Sequence, residues 1–501
     1  MAKKATFQDF SAKGKPEEQT LFRWVYDELR SAILEGRLRP GTRLPSTRNL
    51  AQQFGVSRGT VVVVFEQLQA EGYIVSQTGS GTVVATALPD EFTEASQSPS
   101  SPQSRLVSTR SLSERGACLL TNPFLIHRQT AVGKPFQSNT PAVEAFPIEV
   151  WSRLAGRRMR RATRLLLSSG DPAGYRPLRE ALAAYLQTAR GVRCEVEQIL
   201  IVSGIQQALD LTTRLLLDRG DPVWMEDPGY PGATSLFQGA SLKLCPLPVD
   251  KSGIDTTVGT RDYPPARLVY LTPAHQFPLG VMLSLERRLA LLKWAQSNGS
   301  WIFEDDYDSE YRYVERPLAA LQGLDQHGCV LYAGSFNKIL FPALRIGYLV
   351  VPPSLVDAFT ALRSTVDRFP AVMDQAILAD FMSEGYFGQH IRRTRELYHH
   401  RLQVFLESVN RRLGGWLEVA PTTAGLQTIG WLPQEADDQQ IAQRAADFGV
   451  ETIAMSRYSI QHRIRPGLIL GFAAVDEKEI DRGVERLGFA LQSMLGQRPS
   501  P

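Results

Sequence analysis

One feature of the sequence limits the possible folds more than any other: short apolar runs alternate with segments of helical spacing. The runs have the length of β-strands, and small, acidic or hydroxyl-bearing residues directly follow them; they are residues 199–202, 223–225, 268–271, 301–303 and 330–333. Short apolar strands separated by helices indicate a largely parallel sheet with helices on both faces. Such sheets bind their ligands at the carboxyl ends of the strands. The sequence therefore predicts an α/β body with its functional groups along one edge of the sheet.

Three reactive side chains follow these strand-like runs. Asp305 and Tyr307 come directly after one run, and Lys338 follows the next in the stretch Gly-Ser-Phe-Asn-Lys. An acid, a phenol and an amine at strand ends are what a pyridoxal phosphate site requires, because the cofactor carries a pyridine nitrogen, a phenolic oxygen and an aldehyde. We expect Lys338 to form the Schiff base, Asp305 to keep the ring nitrogen protonated, and Tyr307 to hydrogen-bond the phenolic oxygen.

The phosphate and the ring face of this cofactor also have candidate partners. A helix is predicted to begin near residue 204, where free N–H groups and the helix dipole favour an anion. The expected phosphate partners are Gly204, Ile205, Gln206, Ser335 and Arg345. Tyr230 follows a Pro-Gly turn and is placed to stack on the pyridine ring.

Each of these residues also has a plainer interpretation. Lys338 and Arg345 are compatible with solvated loop cations. Residues 304–306 fit an acidic loop or a metal site, and Tyr230 fits an ordinary core aromatic. We favour the joint interpretation because several separate segments agree in order and position. The four cysteines lie far apart without metal-ligand spacing, so we expect reduced thiols and no metal site.

Residues 1–85 have a different pattern. Apolar residues recur at helical spacing, and Ser46 and Ser57 are placed as helix caps. A Gly-rich turn then separates two strand-like runs. The expected elements are helices over 21–34, 49–54 and 57–71 and strands over 73–75 and 82–84. This order of elements predicts a winged helix-turn-helix over residues 16–85.

A winged helix-turn-helix places the N-terminus of its last helix in the major groove of DNA. The residues expected to face DNA there are Ser57, Arg58, Gly59 and Thr60. Arg58 can fork onto guanine or phosphate. Arg48 is placed to contact the DNA backbone. The wing tip around Gly79 is expected to lie along the DNA phosphates or in the minor groove. The plainer alternative is a small protein-interaction domain with solvated arginines.

This segment resembles the GntR family of bacterial regulators. The resemblance is carried by Leu-Pro-Ser-Thr-Arg-Asn-Leu-Ala at 44–51, Gly-Val-Ser-Arg-Gly-Thr-Val at 55–61 and Leu-Gln-Ala-Glu-Gly-Tyr at 68–73. It implies DNA contacts from Arg48, Arg58, Thr60 and Gly79. The formal net charge of the chain is +3, and residues 1–85 account for all of this excess. The excess is modest, but its position agrees with a nucleic-acid partner.

A Ser-, Pro- and Gln-rich stretch at 96–104 separates this head from the rest of the chain. Its composition cannot build a core, which predicts a flexible linker over residues 86–121. As a coil, the linker would span about 33 Å root-mean-square. That reach allows the head to dock on a neighbouring subunit.

The body, residues 122–501, resembles fold-type I aminotransferases over almost its whole length. The Gly-Asp-Pro-Ala-Gly-Tyr-Arg-Pro run at 170–177 and the Glu-Asp-Asp-Tyr run at 304–307 carry the resemblance, together with the Ser-x-x-Lys pattern that ends at Lys338. The resemblance implies a large part at about 150–360 and a smaller α+β part at about 370–495. It also implies that Tyr175 meets the cofactor phosphate of the partner subunit.

A GntR-like head fused to such a body resembles the MocR subfamily of transcription regulators. The resemblance implies a body that binds pyridoxal phosphate and senses a small molecule, such as an amino acid or an amine, usually without turnover. It also implies a head-to-tail homodimer in which each head lies on the body of the other subunit.

Two positions depart from the aminotransferase pattern. The usual Asn-Pro-x-Gly turn reads Phe-Pro-Leu-Gly at 277–280, so either His275 or Gln276 takes the role of the asparagine or nothing does. The late strand that usually carries a carboxylate-binding arginine is apolar at 468–472, and Arg463 and Arg465 lie only nearby. Both departures weaken the case for ordinary transamination.

The leading hypothesis is a pyridoxal-phosphate-dependent, effector-responsive, DNA-binding transcription regulator. The alternatives are a catalytically active aminotransferase with an accessory DNA-binding head, and a scaffold in which the body only dimerises the head. The apolar runs are too short to span a bilayer, and the N-terminus shows no apolar signal core. We therefore expect a cytoplasmic protein with no membrane partner.

Overall fold

The computed structural model describes residues 19–77, 81–86, 112–120, 133–162, 164–313 and 319–496. The chain divides into two compact units, the head within residues 1–111 and the body within residues 112–501. Among the helices of these ranges, none is both long and apolar enough to cross a membrane.

The head is a three-helix bundle with a β-hairpin. Its elements are α1 (Leu21–Leu34), α2 (Thr47–Phe54), α3 (Arg58–Ala70), β1 (Ile74–Gln77) and β2 (Gly81–Val84). Ser46 and Ser57 cap α2 and α3, since each side-chain oxygen accepts a hydrogen bond from a backbone N–H three residues later. The strands pair antiparallel. The predicted winged helix-turn-helix is confirmed, and the predicted wing tip at Gly79 lies outside the described residues.

The body is built on an eight-stranded mixed sheet. Its strands are β3 (Ile199–Val202), β4 (Pro222–Asp227), β5 (Lys243–Asp250), β6 (Gly253–Ile254), β7 (Leu268–Leu271), β8 (Trp301–Asp306), β9 (Val330–Ser335) and β10 (Gly347–Val350). The spatial order is β3-β10-β9-β8-β7-β4-β5-β6. Strands β9, β8, β7, β4 and β5 run parallel, while β10 and β6 pair antiparallel with their neighbours.

Alternate residues of these strands enter separate hydrophobic clusters. On β3, Ile199 and Ile201 belong to one cluster, whereas Leu200 and Val202 belong to another. Because successive strand residues point to opposite faces, both faces of the sheet are covered. Burial on both faces explains why the strands are continuous apolar runs.

A second, four-stranded antiparallel sheet forms the smaller C-terminal part. Its strands are β11 (Glu418–Val419), β12 (Gln427–Trp431), β13 (Ile453–Ala454) and β14 (Gly467–Gly471), in the order β11-β12-β14-β13. A third cluster joins this sheet to the C-terminal helices through Leu468 and Leu470 on β14, Phe405 and Leu487. The predicted fold-type I arrangement is thereby confirmed.

The helices of the body connect and cover these two sheets. They are α4 (Glu114–Leu120), α5 (Ile148–Arg160), α6 (Arg164–Ser168), α7 (Arg176–Arg190), α8 (Ile205–Leu216), α9 (Pro231–Gly239), α10 (Thr256–Asp262), α11 (Leu285–Asn298), α12 (Leu321–Leu324), α13 (Val356–Val366), α14 (Met373–Ser383), α15 (Tyr386–Leu413), α16 (Asp438–Asp447) and α17 (Glu477–Leu495).

Helix α4 departs from the sequence prediction, because it lies inside the segment 86–121 that was expected to be a flexible linker. The helix contacts α9. Its start is favoured by Ser113, whose hydroxyl accepts a hydrogen bond from the Gly116 N–H at 3.1 Å. The local sequence has also left the Ser/Pro-rich composition for Glu-Arg-Gly-Ala-Cys-Leu-Leu, which contains good helix formers. The linker prediction is therefore corrected at its C-terminal end.

Candidate functional site

A cavity of about 260 Å³ lies at the carboxyl ends of the strands of the large sheet. Residues that directly follow β3, β4, β7, β8 and β9 contribute to its lining. The complete lining is Asn139, Gly204, Ile205, Gln206, Tyr230, Tyr270, Thr272, Phe277, Asp305, Tyr307, Ser335, Asn337, Lys338 and Arg345. The structure thus brings together all the predicted cofactor residues except Tyr175 and His275.

Lys338 places its amine inside this cavity. Its Nζ lies 4.0 Å from the centroid of the Tyr307 ring and donates a hydrogen bond to Asn139 Oδ1 at 2.8 Å. Removal from water lowers the pKa of Lys338 to about 8, although Asp308 and Asp305 act in the opposite direction. Because a lower pKa leaves more neutral amine near pH 7, Lys338 is suited to attack a carbonyl carbon.

Asp305 is the acid of the cavity. It lies on β8, and its Oδ2 accepts a hydrogen bond from Tyr270 Oη at 2.7 Å. Burial raises the pKa of Asp305 to about 7, while Tyr270 and Lys338 lower it. Among the described residues, its buried Oδ1 has no hydrogen-bond donor. An unpaired carboxylate oxygen at a cavity wall is suited to a ligand that brings its own N–H or O–H.

Tyr307 connects the cavity to a buried pair behind it. Its Oη lies 3.1 Å from His275 Nδ1, and the same nitrogen lies 3.0 Å from both carboxylate oxygens of Asp308. His275 does not line the cavity. The expectation of a direct contact from His275 is corrected: Asp308 holds the ring behind Tyr307, so His275 can act only through that phenol.

Gln276 does not take the place of the missing asparagine either. Its amide nitrogen donates to Pro228 O at 2.9 Å, and its Oε1 accepts from Leu279 N at 2.9 Å. The same nitrogen also donates to Phe277 O at 2.6 Å, so both ends of the side chain bind the turn at 277–280. Neither His275 nor Gln276 therefore lines the cavity in place of the asparagine.

An anion site is formed where α8 begins. Gly204 has φ +136°, and a Cβ there would lie 3.3 Å from Asn337 Nδ2 and 3.5 Å from Arg345 Nη2. The missing side chain keeps the entry to the helix open between these donors. Ile205 and Gln206 form the first turn of α8, where N–H groups have no partner within the helix. Together with Arg345 they offer positive charge and N–H donors to a phosphate.

Two tyrosines occupy different positions. Tyr230 stands at the N-cap position of α9. Its Oη donates to Gln206 Oε1 at 3.3 Å, and its ring meets Phe277 edge to face with ring centroids 6.1 Å apart. Tyr175 precedes α7, is half-buried, and does not line the cavity of its own chain. A contact from Tyr175 to the site of a partner subunit stays a prediction.

Five lining residues were not predicted from the sequence: Asn139, Tyr270, Thr272, Phe277 and Asn337. Tyr270 and Thr272 stand at the end of a predicted strand, so the rule that located Asp305 would also have found them. Asn139 gave no such signal, because no strand-like run precedes it. Neither Arg463 nor Arg465 lines the cavity. Arg465 instead bonds Leu432 O and Glu418.

The head presents its predicted DNA-binding residues at the start of α3 and on α2. Arg48, Ser57, Arg58 and Gly59 are exposed, and Thr60 is half-buried. Ser57 Oγ accepts a hydrogen bond from Thr60 N at 3.1 Å and lies 2.9 Å from Thr60 Oγ1. Ser57 therefore serves as the helix cap as well as a candidate contact. Contact with DNA stays a prediction for each of these residues.

Two family descriptions match the chain. Residues 21–84 match bacterial regulatory proteins of the gntR family, and residues 135–487 match aminotransferases of class I and II. A probable rhizopine catabolism regulatory protein MocR of Rhizobium meliloti is 41% identical over 95% of this chain and 94% of its own length. The HTH-type transcriptional regulator TauR of Rhodobacter capsulatus is 32% identical over 92% of this chain and 94% of its own length.

Solved structures resemble the body. A kynurenine aminotransferase of Pyrococcus horikoshii superposes with a TM-score of 0.67 and 26% identity, covering 78% of this chain and 97% of its own. The aminotransferase description covers most of the chain, and the regulators match along nearly all of it. The chain therefore belongs to the MocR subfamily of GntR-type bacterial regulators, in which a winged helix-turn-helix head precedes an aminotransferase-like body.

Proposed function

We propose that the chain is a transcriptional regulator that binds DNA through its head and responds to pyridoxal phosphate and a small effector through its body. The observation that carries this proposal is the pairing of an amine with a lowered pKa, Lys338, and a buried acid with an unpaired oxygen, Asp305, in one cavity. The exposed first turn of α3 in the head supplies the DNA-binding surface.

The lining fits pyridoxal phosphate group by group. When bound, this cofactor supplies an aldehyde that combines with amines and a ring that withdraws electrons. Asp305 Oδ1 is free to hold a proton at the ring nitrogen, and Lys338 offers the amine. Tyr307 offers its phenol, with its position fixed by His275. The start of α8, Ser335 and Arg345 offer donors for the phosphate.

The chemistry of the lysine limits the class of effector. An amine that has condensed with an aldehyde is exchanged directly for a second amine, so a ligand that takes part in this exchange with Lys338 is an amino acid or another primary amine. A relative named as a pyridoxine biosynthesis transcriptional regulator agrees with the cofactor itself as a further candidate signal.

A homodimer is part of the proposal. Ile148 and Met159 of α5 are exposed by 62% and 66%, and they lie eleven residues apart, which places them on one face of the helix. An interface on this face of α5 would remove both apolar side chains from water. In the proposed dimer Tyr175 contacts the site of the partner subunit, and each head lies on the other subunit's body.

A mobility-shift titration on the DNA upstream of the chain's own gene tests the regulator. Sequence-selective binding that changes when pyridoxal phosphate is added supports the proposal. Absence of selective binding both with and without the cofactor would contradict it. A parallel borohydride treatment should fix cofactor mass on the wild-type chain and none on Lys338→Ala, which also excludes a body that serves only as a scaffold.

The runner-up function is an active aminotransferase with an accessory head. The availability of Lys338 as a partly neutral amine favours it. One observation argues against it. Arg345 is the one arginine among the cavity-lining residues that the structure describes, and the cofactor phosphate is expected to bind it, so no lining arginine is left for the carboxylate of an amino-acid substrate. Steady conversion of an amino acid with a 2-oxo acid over many turnovers, together with DNA binding that ignores the ligand, would favour the enzyme over the regulator.

A further inference from the structure

A segment that precedes all strands of the body brings Asn139 to the cavity. We call residues 133–142 the strap. The smaller sheet holds it: Phe136 pairs with Gly471 in an antiparallel bridge, and the Glu451 N–H donates to Pro135 O at 3.0 Å. A Cβ on Gly471 would lie 1.8 Å from Gln137 O, so this close approach requires glycine. The strap is therefore fixed to the smaller sheet on one side.

Asn139 stands where the strap reaches the lysine. Its N–H donates to Gln427 Oε1 at 3.0 Å, and its Oδ1 accepts from Lys338 Nζ at 2.8 Å. Its φ is +55°, a left-handed conformation that asparagine tolerates better than most residues. Among the described residues, Asn139 Oδ1 is the hydrogen-bond acceptor that Lys338 Nζ reaches.

This hydrogen bond depends on the chemical state of the lysine. A free amine carries hydrogens that it can donate to Asn139. When an amine condenses with an aldehyde, the carbonyl oxygen leaves as water with two hydrogens of the amine, and a carbon–nitrogen double bond forms. A neutral imine nitrogen has no hydrogen to donate, and a protonated one has a single N–H, so the released amine of Lys338 is the better donor to Asn139.

Resting on the proposed function, we propose that Asn139 is a positioning residue that stabilises the released amine of Lys338 and so favours transfer of the cofactor to an incoming primary amine. In that exchange, the ligand nitrogen bonds to the aldehyde carbon and the bond from this carbon to Nζ breaks. Two hydrogens of the ligand amine end on Nζ. No oxidant or reductant is needed, and Asn139 gains its donor when the ligand is captured.

The position of Asn139 in the chain links this contact to the strap. It is the cavity-lining residue closest in sequence to the head. A hydrogen bond that forms on ligand capture and breaks on ligand release changes how firmly the strap is held at the cavity.

The variant Asn139→Gly removes the amide while keeping the positive φ free of strain. The full-length chain is loaded with pyridoxal phosphate, titrated with methylamine, quenched with borohydride and weighed by intact mass spectrometry. We expect Asn139→Gly to need about tenfold more methylamine than the wild type for half-release of cofactor from Lys338, since one hydrogen bond to an amine is lost. Methylamine has no carboxylate, so the readout isolates the release of the lysine.

Two further variants control this result. Asn139→Asp retains an acceptor and adds a negative charge, so it should need no more methylamine than the wild type, and it tests the proposal even if the glycine variant does not fold. Thr140→Ala changes the neighbouring strap residue, whose hydroxyl donates to Ser138 O at 3.1 Å and which does not line the cavity. It should behave as the wild type.

The possible outcomes separate the two proposals. An unchanged methylamine requirement in Asn139→Gly overturns the role of Asn139 and leaves the cofactor site intact. Weaker retention of the cofactor by that variant also overturns it, because Asn139 would then hold the cofactor and not the released lysine. If the wild type itself gains no borohydride-fixed mass, the cofactor proposal fails, and the inference fails with it.

Discussion

The head and the body present their functional side chains in opposite ways. In the head, Arg48 and Arg58 are exposed and stand near helix starts that local serine caps define. In the body, Asp305 is buried and Lys338 is withdrawn from water, and strands distant in sequence bring them together. A domain that binds DNA needs cationic side chains exposed to the phosphates. A site that performs amine chemistry needs titratable groups whose pKa values are shifted by burial.

The same difference determines how each unit should respond to its surroundings. Exposed cations on a DNA-binding surface are screened by salt, so binding by the head should weaken as salt rises. Buried groups are screened much less, and their behaviour follows the pKa shifts that burial produces. Variants and conditions that act on one unit alone therefore test whether the head and the body differ in this way.

The largest expected effect is complete loss of covalent cofactor attachment in Lys338→Ala. The physical reason is that Lys338 is the amine that lines the cavity, and the measurement is intact mass after borohydride treatment. Lys293→Ala, which removes an exposed lysine on α11, is the matched control and should attach cofactor normally. If Lys338→Ala also abolishes DNA binding in the absence of cofactor, the head does not function independently of the cofactor site.

The second effect is on the pH dependence of cofactor attachment. Lys338 reacts as the neutral amine, and with a pKa of about 8 its neutral fraction rises about tenfold per pH unit below pH 8 and levels off above it. Borohydride trapping at fixed times between pH 6 and pH 9 measures this rate. A rate that still rises steeply at pH 9 would indicate an ordinary exposed lysine, and the contrast with the head would lose its basis.

The third effect is on DNA affinity. Arg58→Ala should weaken selective binding by about 1–3 kcal/mol if the side chain contacts a base, since a forked donor pair to guanine is lost. Arg23→Ala is the control, because this exposed arginine of α1 pairs with Asp27. Mobility shifts at two salt concentrations separate the cases: a uniform loss on all sequences with a smaller salt slope would indicate a phosphate contact.

The two units also differ in how far the sequence could predict them. The head depends on neighbours in the chain, and Ser46, Ser57 and the helix periodicity were sufficient to locate its elements. In the body, the rule that ligands meet strand ends located Lys338, Asp305 and the start of α8. These features depend on local patterns, which a single sequence displays directly.

The features that the sequence did not reveal depend on distant contacts. Asn139 reaches Lys338 from a segment 199 residues earlier, and its position is set by the smaller sheet. His275 was expected in the cavity because it closely precedes the turn at 277–280, but the Asp308 carboxylate holds it behind Tyr307. Neither arrangement follows from periodicity or composition, since each requires the packed positions of separate elements.

The smallest effect concerns Ser57, where local structure and DNA contact share one side chain. Ser57→Ala removes the acceptor for the Thr60 N–H and should cost about 1 kcal/mol of head stability, measured as a lower thermal midpoint. Ser57→Asp keeps a capping oxygen and places a negative charge favourably at the start of α3. It should preserve the midpoint and weaken DNA binding, because the new carboxylate would face phosphates. Wild-type affinity in Ser57→Asp would show that Ser57 only caps the helix, and the DNA-facing surface of the head would then begin at Arg58.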